Sequence, residues 1–266
     1  MGWDIIGRKE TVRGATRESF VDYTGKWYRP NRMVVGVGGQ LGDGLKQRLE
    51  ELLGDMEPRD TGSPAPVALN GNGSRVKVHT KQSDQAHLVL GVRSRPLVDP
   101  DRYVLQILAT VLGGGMSSRL FTEVRERRGL AYYVFGTNHA YTDAGSLYAQ
   151  SGVDINRIDE AVTTIVEQFQ LLADEIVPAD ELEKARNFAK GRFVLQLESP
   201  HGTIMFGLRR EVLEGRAEEP QAVLDALDAV TAEDVQRVAK EVLDSGFHLA
   251  VIGPFADAAR FEKLLG

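Results

Sequence analysis

Twice in this chain a threonine able to cap a helix stands 22 residues ahead of a glycine that closes an apolar run: Thr16 before Gly38, and Thr231 before Gly253. In the first instance the spacing predicts a helix over 17–28, with Phe20, Tyr23 and Trp27 on one face. Pro30-Asn31 is a break, Met33–Val37 reads as a buried strand, and Leu45, Leu49, Leu52 and Leu53 mark a closing amphipathic helix. In the second, a helix over 231–242 precedes a strand over 247–252 and a short helix ending at Leu265. The two end alike, in Arg48-Leu49-Glu50-Glu51-Leu52-Leu53-Gly54 and Arg260-Phe261-Glu262-Lys263-Leu264-Leu265-Gly266. Endings repeated in order imply two copies of one unit, the second whole and the first present only as its tail. Residues 1–54 are then the tail of a first domain, 55–74 a linker rich in proline and glycine, and 75–266 a complete second domain. The offset of the repeat places roughly 135 residues of a front half outside this chain. A tail of this kind cannot bury its helix faces alone and needs a partner surface.

The second domain carries most of the pattern. Strands are expected at 76–79, 86–92, 130–139 and 145–153, the last two joined by a turn around Tyr141-Thr142-Asp143-Ala144. Helices are expected at 101–112 (Val104, Ile107, Leu108 and Val111 inward), 117–127, 157–172, 178–197, 203–213 and 221–226. Strands and helices come in groups rather than in strict alternation. The fold class this implies is α+β: helices layered on a mostly antiparallel sheet, one complete domain plus the tail of a homologous preceding one.

The chemistry open to the chain is narrowed by what it lacks. It has no cysteine, which excludes disulfides and thiolate metal sites. Its net charge of −6 argues against a general nucleic-acid partner, which needs a basic face. Arg125, Arg127 and Arg128 do cluster, as a solvated surface commonly does. No apolar run of about 18 residues occurs, so no membrane span is expected, and with no signal peptide the reading is cytoplasmic. The five histidines, His79, His87, His139, His201 and His248, include no pair at i, i+4 or i, i+2, so no local zinc site is expected. No G-x-S-x-G elbow marks a nucleophilic serine.

Gly113-Gly114-Gly115-Met116-Ser117-Ser118 admits two readings. A glycine run before a serine-capped helix can offer N–H groups to a phosphate, although the lysine of a Walker loop is absent. Equally, it is a tight helix–helix turn with glycines at positive φ and Ser117 as the cap of the next helix.

The stretch 113–135, GGGMSSRLFTEVRERRGLAYYVF, resembles the pitrilysin/insulinase family of zinc metallopeptidases, in particular bacterial members similar to the mitochondrial processing peptidase. The resemblance extends to Thr16-Arg17-Glu18 and Tyr28-Arg29-Pro30-Asn31-Arg32-Met33, similar to the tail of the family's first domain, and to residues 75–254, similar to its second. It implies that Arg125 and Tyr132, seven residues apart, are substrate-binding groups reaching across a closed chamber to a bound peptide. A guanidinium and a phenol can both donate to a carbonyl oxygen. Spacing alone equally fits an Arg125 that complements a helix end and a Tyr132 that fills the core.

The resemblance further implies that the zinc ligands and the general-base glutamate belong to the first domain, ahead of residue 7. This chain would then carry no metal, no cofactor and no catalytic residue of its own. Zinc would sit in the missing N-terminal half, where zinc-polarised water attacks the scissile bond. The expected partners are peptide substrates and the N-terminal domain or a zinc-bearing subunit, with a homodimer also open; neither nucleic acid nor membrane is expected. The chain alone would be inactive. Two alternatives stand beside this: a noncatalytic scaffold or partner subunit of a peptidase pair, and a small-molecule or phosphate-binding module built on the glycine loop.

Overall fold

The computed structural model describes residues 5–63, 65–68, 75–216 and 218–266. Positions 64 and 69–74 of the expected linker lie outside the described residues. The chain divides into two compact units, residues 1–68 with 196–217, and residues 69–195 with 218–266.

The first unit contains α1 (Lys9–Gly14), α2 (Arg17–Trp27) and α3 (Leu45–Leu53), with a single 3-10 turn at Pro30–Arg32. Thr16 caps α2 through a capping box with Ser19, as the sequence suggests. Met33–Val37, expected as a strand, is not one. Its backbone is extended at Met33 (φ −119°, ψ 137°), but no ladder forms along it. Apolar β-branched residues set the local conformation, whereas a strand also requires a second backbone to pair with. The helix of the 22-residue repeat is therefore present in both places and the strand in only one. The spacing does not by itself establish a duplication, and the figure for the front half that rested on it falls with it. The extended segment packs instead on a helix of its own unit, Pro200–Glu214. A side chain at Gly36 would meet Leu208 Cγ at 2.9 Å, and one at Gly38 would meet Ile204 Cγ1 at 2.7 Å. None of the three helices α1–α3 holds a buried residue.

The second unit is a five-stranded sheet with helices against one face, which makes the fold α+β. In chain order it contains β1 (Val76–Thr80), β2 (Ala86–Ser94), α4 (Arg102–Gly113), a π-helical turn at Phe121–Arg127, β3 (Ala131–Ala140), β4 (Gly145–Val153), α5 (Ile158–Asp174) and α6 (Ala179–Leu197). The Pro200–Glu214 helix of the first unit is α7; α8 (Pro220–Ala229), α9 (Ala232–Leu243), β5 (His248–Gly253) and α10 (Ala259–Glu262) follow. The strand order is β1-β5-β2-β4-β3, antiparallel except for β1 beside β5. The core lies between the sheet and α4, α5 and α9. Leu88, Leu90, Leu147, Leu249 and Val251 face Leu105, Ile107, Leu108, Val162, Ile165 and Val238, all buried. The four residues of α4 expected inward are buried, and α5 adds Phe169, edge-on to Phe247 at 5.6 Å.

Two local expectations change. Gly113, Gly114 and Gly115 do not take positive φ; glycine is needed there for space. A side chain on Gly113 would collide with the backbone of Gly136, so α4 ends directly against β3. The helical residues that follow begin at Arg119, so Ser118, not Ser117, stands directly before them. The Ser118 carbonyl accepts from Thr122 N–H at 3.0 Å, while its hydroxyl donates back to the Gly115 carbonyl at 2.5 Å.

Candidate functional site

Arg125 and Tyr132 flank a chain reversal that several independent interactions hold. Val124, buried, anchors the π-helical turn, a rare geometry that recurs at functional sites. Gly129, at φ +57°, ends the helix in the left-handed region that glycine enters without penalty. Leu130 then donates its N–H to the Val124 carbonyl at 2.8 Å and accepts from Asp154 N–H at 3.2 Å. Arg157 donates to the Arg128 carbonyl at 2.9 Å while bound to Glu160.

Of the three clustered arginines, two have carboxylates: Arg127 pairs with Glu123 at 2.6 Å, and Arg128 with Glu167 at 3.8 Å. Arg125 has none among the described residues. Its guanidinium lies over the Phe121 ring at 4.9 Å, which fixes the side chain one helical turn along without neutralising it. Arg125 is exposed.

Tyr132 is 60% exposed and is the extra residue of a bulge. Ala131 pairs with Val153 and Tyr133 with Gly152, so β3 advances two residues while β4 advances one. A bulge frees one residue from the ladder and turns the strand locally. Two residues of β4 secure it. Ser151, fully buried, donates its hydroxyl to the Tyr133 carbonyl at 2.9 Å. Gly152 makes room for the Tyr133 ring; a side chain there would stand 2.5 Å from Cε1. The Tyr133 hydroxyl lies 3.2 Å from His87 Nδ1. Ser151, Gly152 and His87 were not singled out from the sequence. An isolated glycine inside a strand pattern, as at Gly152, is the one signal that points to a bulge.

The histidines do not converge. Four stand on strands or at strand ends and His201 on α7, and among the described residues no three His, Asp or Glu side chains gather to hold a metal ion. The groups present do not fit a zinc site. The glycine loop borders a cavity of about 380 Å³ that also takes in Glu181, a carboxylate held by Arg119 at 2.8 and 2.9 Å. An anion placed there would meet that carboxylate. Among the described residues no helix is long and apolar enough to cross a membrane.

The second unit is thus a helix-backed, five-stranded α+β sheet in which Arg125 and Tyr132 stand on either side of the Gly129 reversal. The chain belongs to the peptidase M16 inactive-domain family, which its residues 14–188 match, in agreement with the resemblance to pitrilysin/insulinase peptidases. It is 32% identical over 256 residues to a protein of Bacillus subtilis named uncharacterized zinc protease YmxG, covering 96% of this chain and 62% of that one. A protein of Mycobacterium leprae named uncharacterized zinc protease ML0855 is 31% identical over 269 residues, covering 100% and 60%. Among solved structures, a protease from Helicobacter pylori superposes with a TM-score of 0.84 at 20% identity, over 95% of this chain and 62% of that one. A peptidase M16 inactive domain from Pseudomonas fluorescens does so at 0.81 and 17%, over 94% and 60%. The chain thus spans about three fifths of the length of these relatives.

Proposed function

We propose that this chain is the substrate-binding, noncatalytic half of a zinc-dependent endopeptidase, with Arg125 and Tyr132 as its peptide-contacting groups. The observation that carries this is the pairing of an unneutralised guanidinium with an exposed phenol seven residues on, both held by a reversal whose geometry is locked from several sides. Groups fixed in advance and left without internal partners can donate to a substrate carbonyl, or to the oxyanion derived from it, without reorganising at that moment. In this reading Arg125 supplies charge and Tyr132 a directed hydroxyl, and neither transfers a proton. The catalytic zinc and its ligands belong to the part of the relatives that this chain does not span, and the metal there supplies the activated water. Residues 1–54 are read as the tail of that zinc-bearing domain, 55–74 as a linker and 75–266 as the second domain. The exposed apolar residues of the tail, Phe20, Tyr23, Val34, Val35, Val37 and Leu52, support a surface made to be covered.

The test is reconstitution with the zinc-bearing half and a quenched fluorescent peptide. The chain alone should cleave nothing. The pair should cleave, and Arg125→Ala and Tyr132→Phe should each lower kcat/KM at unchanged melting temperature. Full activity in both variants would sink the assignment.

A further inference from the structure

Four of the five histidines lie on one face of the sheet. The register carries a single rung across all five strands, His79–Ile252–His87–Gly152–Tyr133, in the order β1, β5, β2, β4, β3. The adjacent rung is Lys77–Ala250–Val89–Gln150–Phe135. Beyond it His248 stands opposite Gly91, which stands opposite Tyr148, and then Ser146 stands between Arg93 on one side and His139 on the other. Residues directly opposite in a ladder share a face, so these positions form one surface. The other face carries the buried core. On this one Lys77, His79, His87 and His139 are exposed, and Val89, Phe135 and Ile252 are 38–40% exposed.

The composition of this surface runs against that of the chain. The protein has 38 acidic residues against 32 basic, yet these rungs hold Lys77, Arg93, four imidazoles and no carboxylate. Like charges close together on a sheet are unfavourable, and among the described residues neither Lys77 nor Arg93 has an ion-pair partner. The side chains in contact with His87 and His139 are neutral. The Tyr133 hydroxyl meets His87, and the edges of Tyr148 and Tyr141 meet His139 at 5.6 and 6.5 Å. Nearby carboxylates occupy the turns at the strand ends: Asp84 before β2, Asp143 in the β3–β4 turn, and Asp154, which accepts from Asn156 N–H at 2.9 Å. A metal is not what the imidazoles share. His79 and His87 are separated by β5, and strands two apart stand roughly 10 Å from one another.

We propose that the helix-free face of the sheet is a recognition surface for an acidic, extended peptide segment. Its carboxylates would meet the imidazoles and Lys77, and its apolar side chains would lie on Val89, Tyr133 and Phe135. Lys77 and Arg93 supply the charge, and an imidazole ring N–H can donate to a carboxylate. This names the substrate class of the peptide-binding half proposed above and rests on that reading, through Tyr132, the neighbour of Tyr133 in the same bulge.

The full 266-residue chain is titrated, by fluorescence anisotropy, into three labelled peptides of about ten residues, long enough to cross five strands. They share their aromatic residues and differ only in carrying Glu, Gln or Lys. At about pH 7.5 the Glu peptide should bind roughly tenfold more tightly than the Gln peptide, and the Lys peptide least. The double variant Lys77→Gln/Arg93→Gln should lose most of that preference at unchanged melting temperature. If all three peptides bind alike, the preference for acidic peptides is overturned while the peptide-binding reading stands. If the Glu peptide binds as expected but Arg125→Ala and Tyr132→Phe reconstitute full activity, the surface stands and the site reading falls. An oligonucleotide bound more tightly than the Glu peptide, or no peptide bound, overturns the proposal.

Discussion

Tyr132 and Tyr133 are adjacent in sequence and opposite in consequence. Tyr133 is held by Gly152, His87 and the Phe135 ring stacked 6.3 Å away, so Tyr133→Ala should lower the melting temperature. The Tyr132 hydroxyl has no hydrogen-bond partner among the described residues, so Tyr132→Phe should leave folding unchanged. If it acts on a developing oxyanion, the loss is on the order of 10²–10³ in kcat/KM for the reconstituted enzyme. A melting-temperature drop with activity per folded molecule intact would point to a core role instead. Between them and Arg125 stands Gly129. A side chain there meets nothing within 4 Å, so its substitution is opposed by conformation alone. Gly129→Ala should cost about 1–2 kcal/mol in chemical denaturation. Gly129→Asn should cost less, because asparagine tolerates the left-handed region. The family resemblance singles out Arg125 and Tyr132, but the bulge that exposes one and the Phe121 ring beside the other follow from contacts that the sequence does not display.

At the scale of elements, the caps were legible and the pairings were not. Thr16 and Thr231 both form capping boxes, with Ser19 and Asp234, because a cap needs only residues three apart. Thr231→Ala should cost about 1 kcal/mol, measured by urea denaturation. The start of α9 also sets an acid response. The Asp234 carboxyl is held below the usual carboxylate range, first by its hydrogen bond from Thr231. The Asp101 carboxyl is lowered too, chiefly by Arg237, which donates to both its oxygens at 2.8 and 3.0 Å. Since both are depressed in the folded state, their contribution is complete above the ordinary aspartate value near about 4. It is lost as the pH falls below that value toward the lower folded ones. The stability gap between wild type and Arg237→Gln should therefore be constant from about pH 7 to 5 and shrink below about pH 4. A gap unchanged at about pH 3 would count against this linkage. Met33–Val37 shows the converse of the caps: five residues with strand composition and no ladder, because pairing is a property of two segments.

Over the whole molecule the two units differ in how much they bury. The second has Phe169 and Phe261 fully enclosed, and Phe169→Ala should cost about 3–5 kcal/mol. In the first, contact between chain segments runs through Gly36 and Gly38 against Ile204 and Leu208, around a cavity of about 610 Å³. Removing residues 1–54 should accordingly speed amide exchange across α7 while β2 and β4 stay protected, as read by hydrogen-exchange mass spectrometry. Equal protection of α7 with and without that segment would show that the helix does not depend on it.

Apolar periodicity and turn residues by themselves determined the helices from α2 onward, the five strands of the second unit and the α+β class, because these follow from side-chain patterns within a few residues; the short α1 was not among them. The block around Gly113–Phe135 determined the family. Only the tertiary structure decided which strands pair and which residues share a face. His79, His87, His139 and His248 are scattered over 170 positions of sequence and show no spacing that a metal or a catalytic site would need. They become neighbours on one surface through the order β1-β5-β2-β4-β3. Register is set by long-range pairing and by a single bulge at Tyr132, and a shift of one residue would turn those side chains into the core.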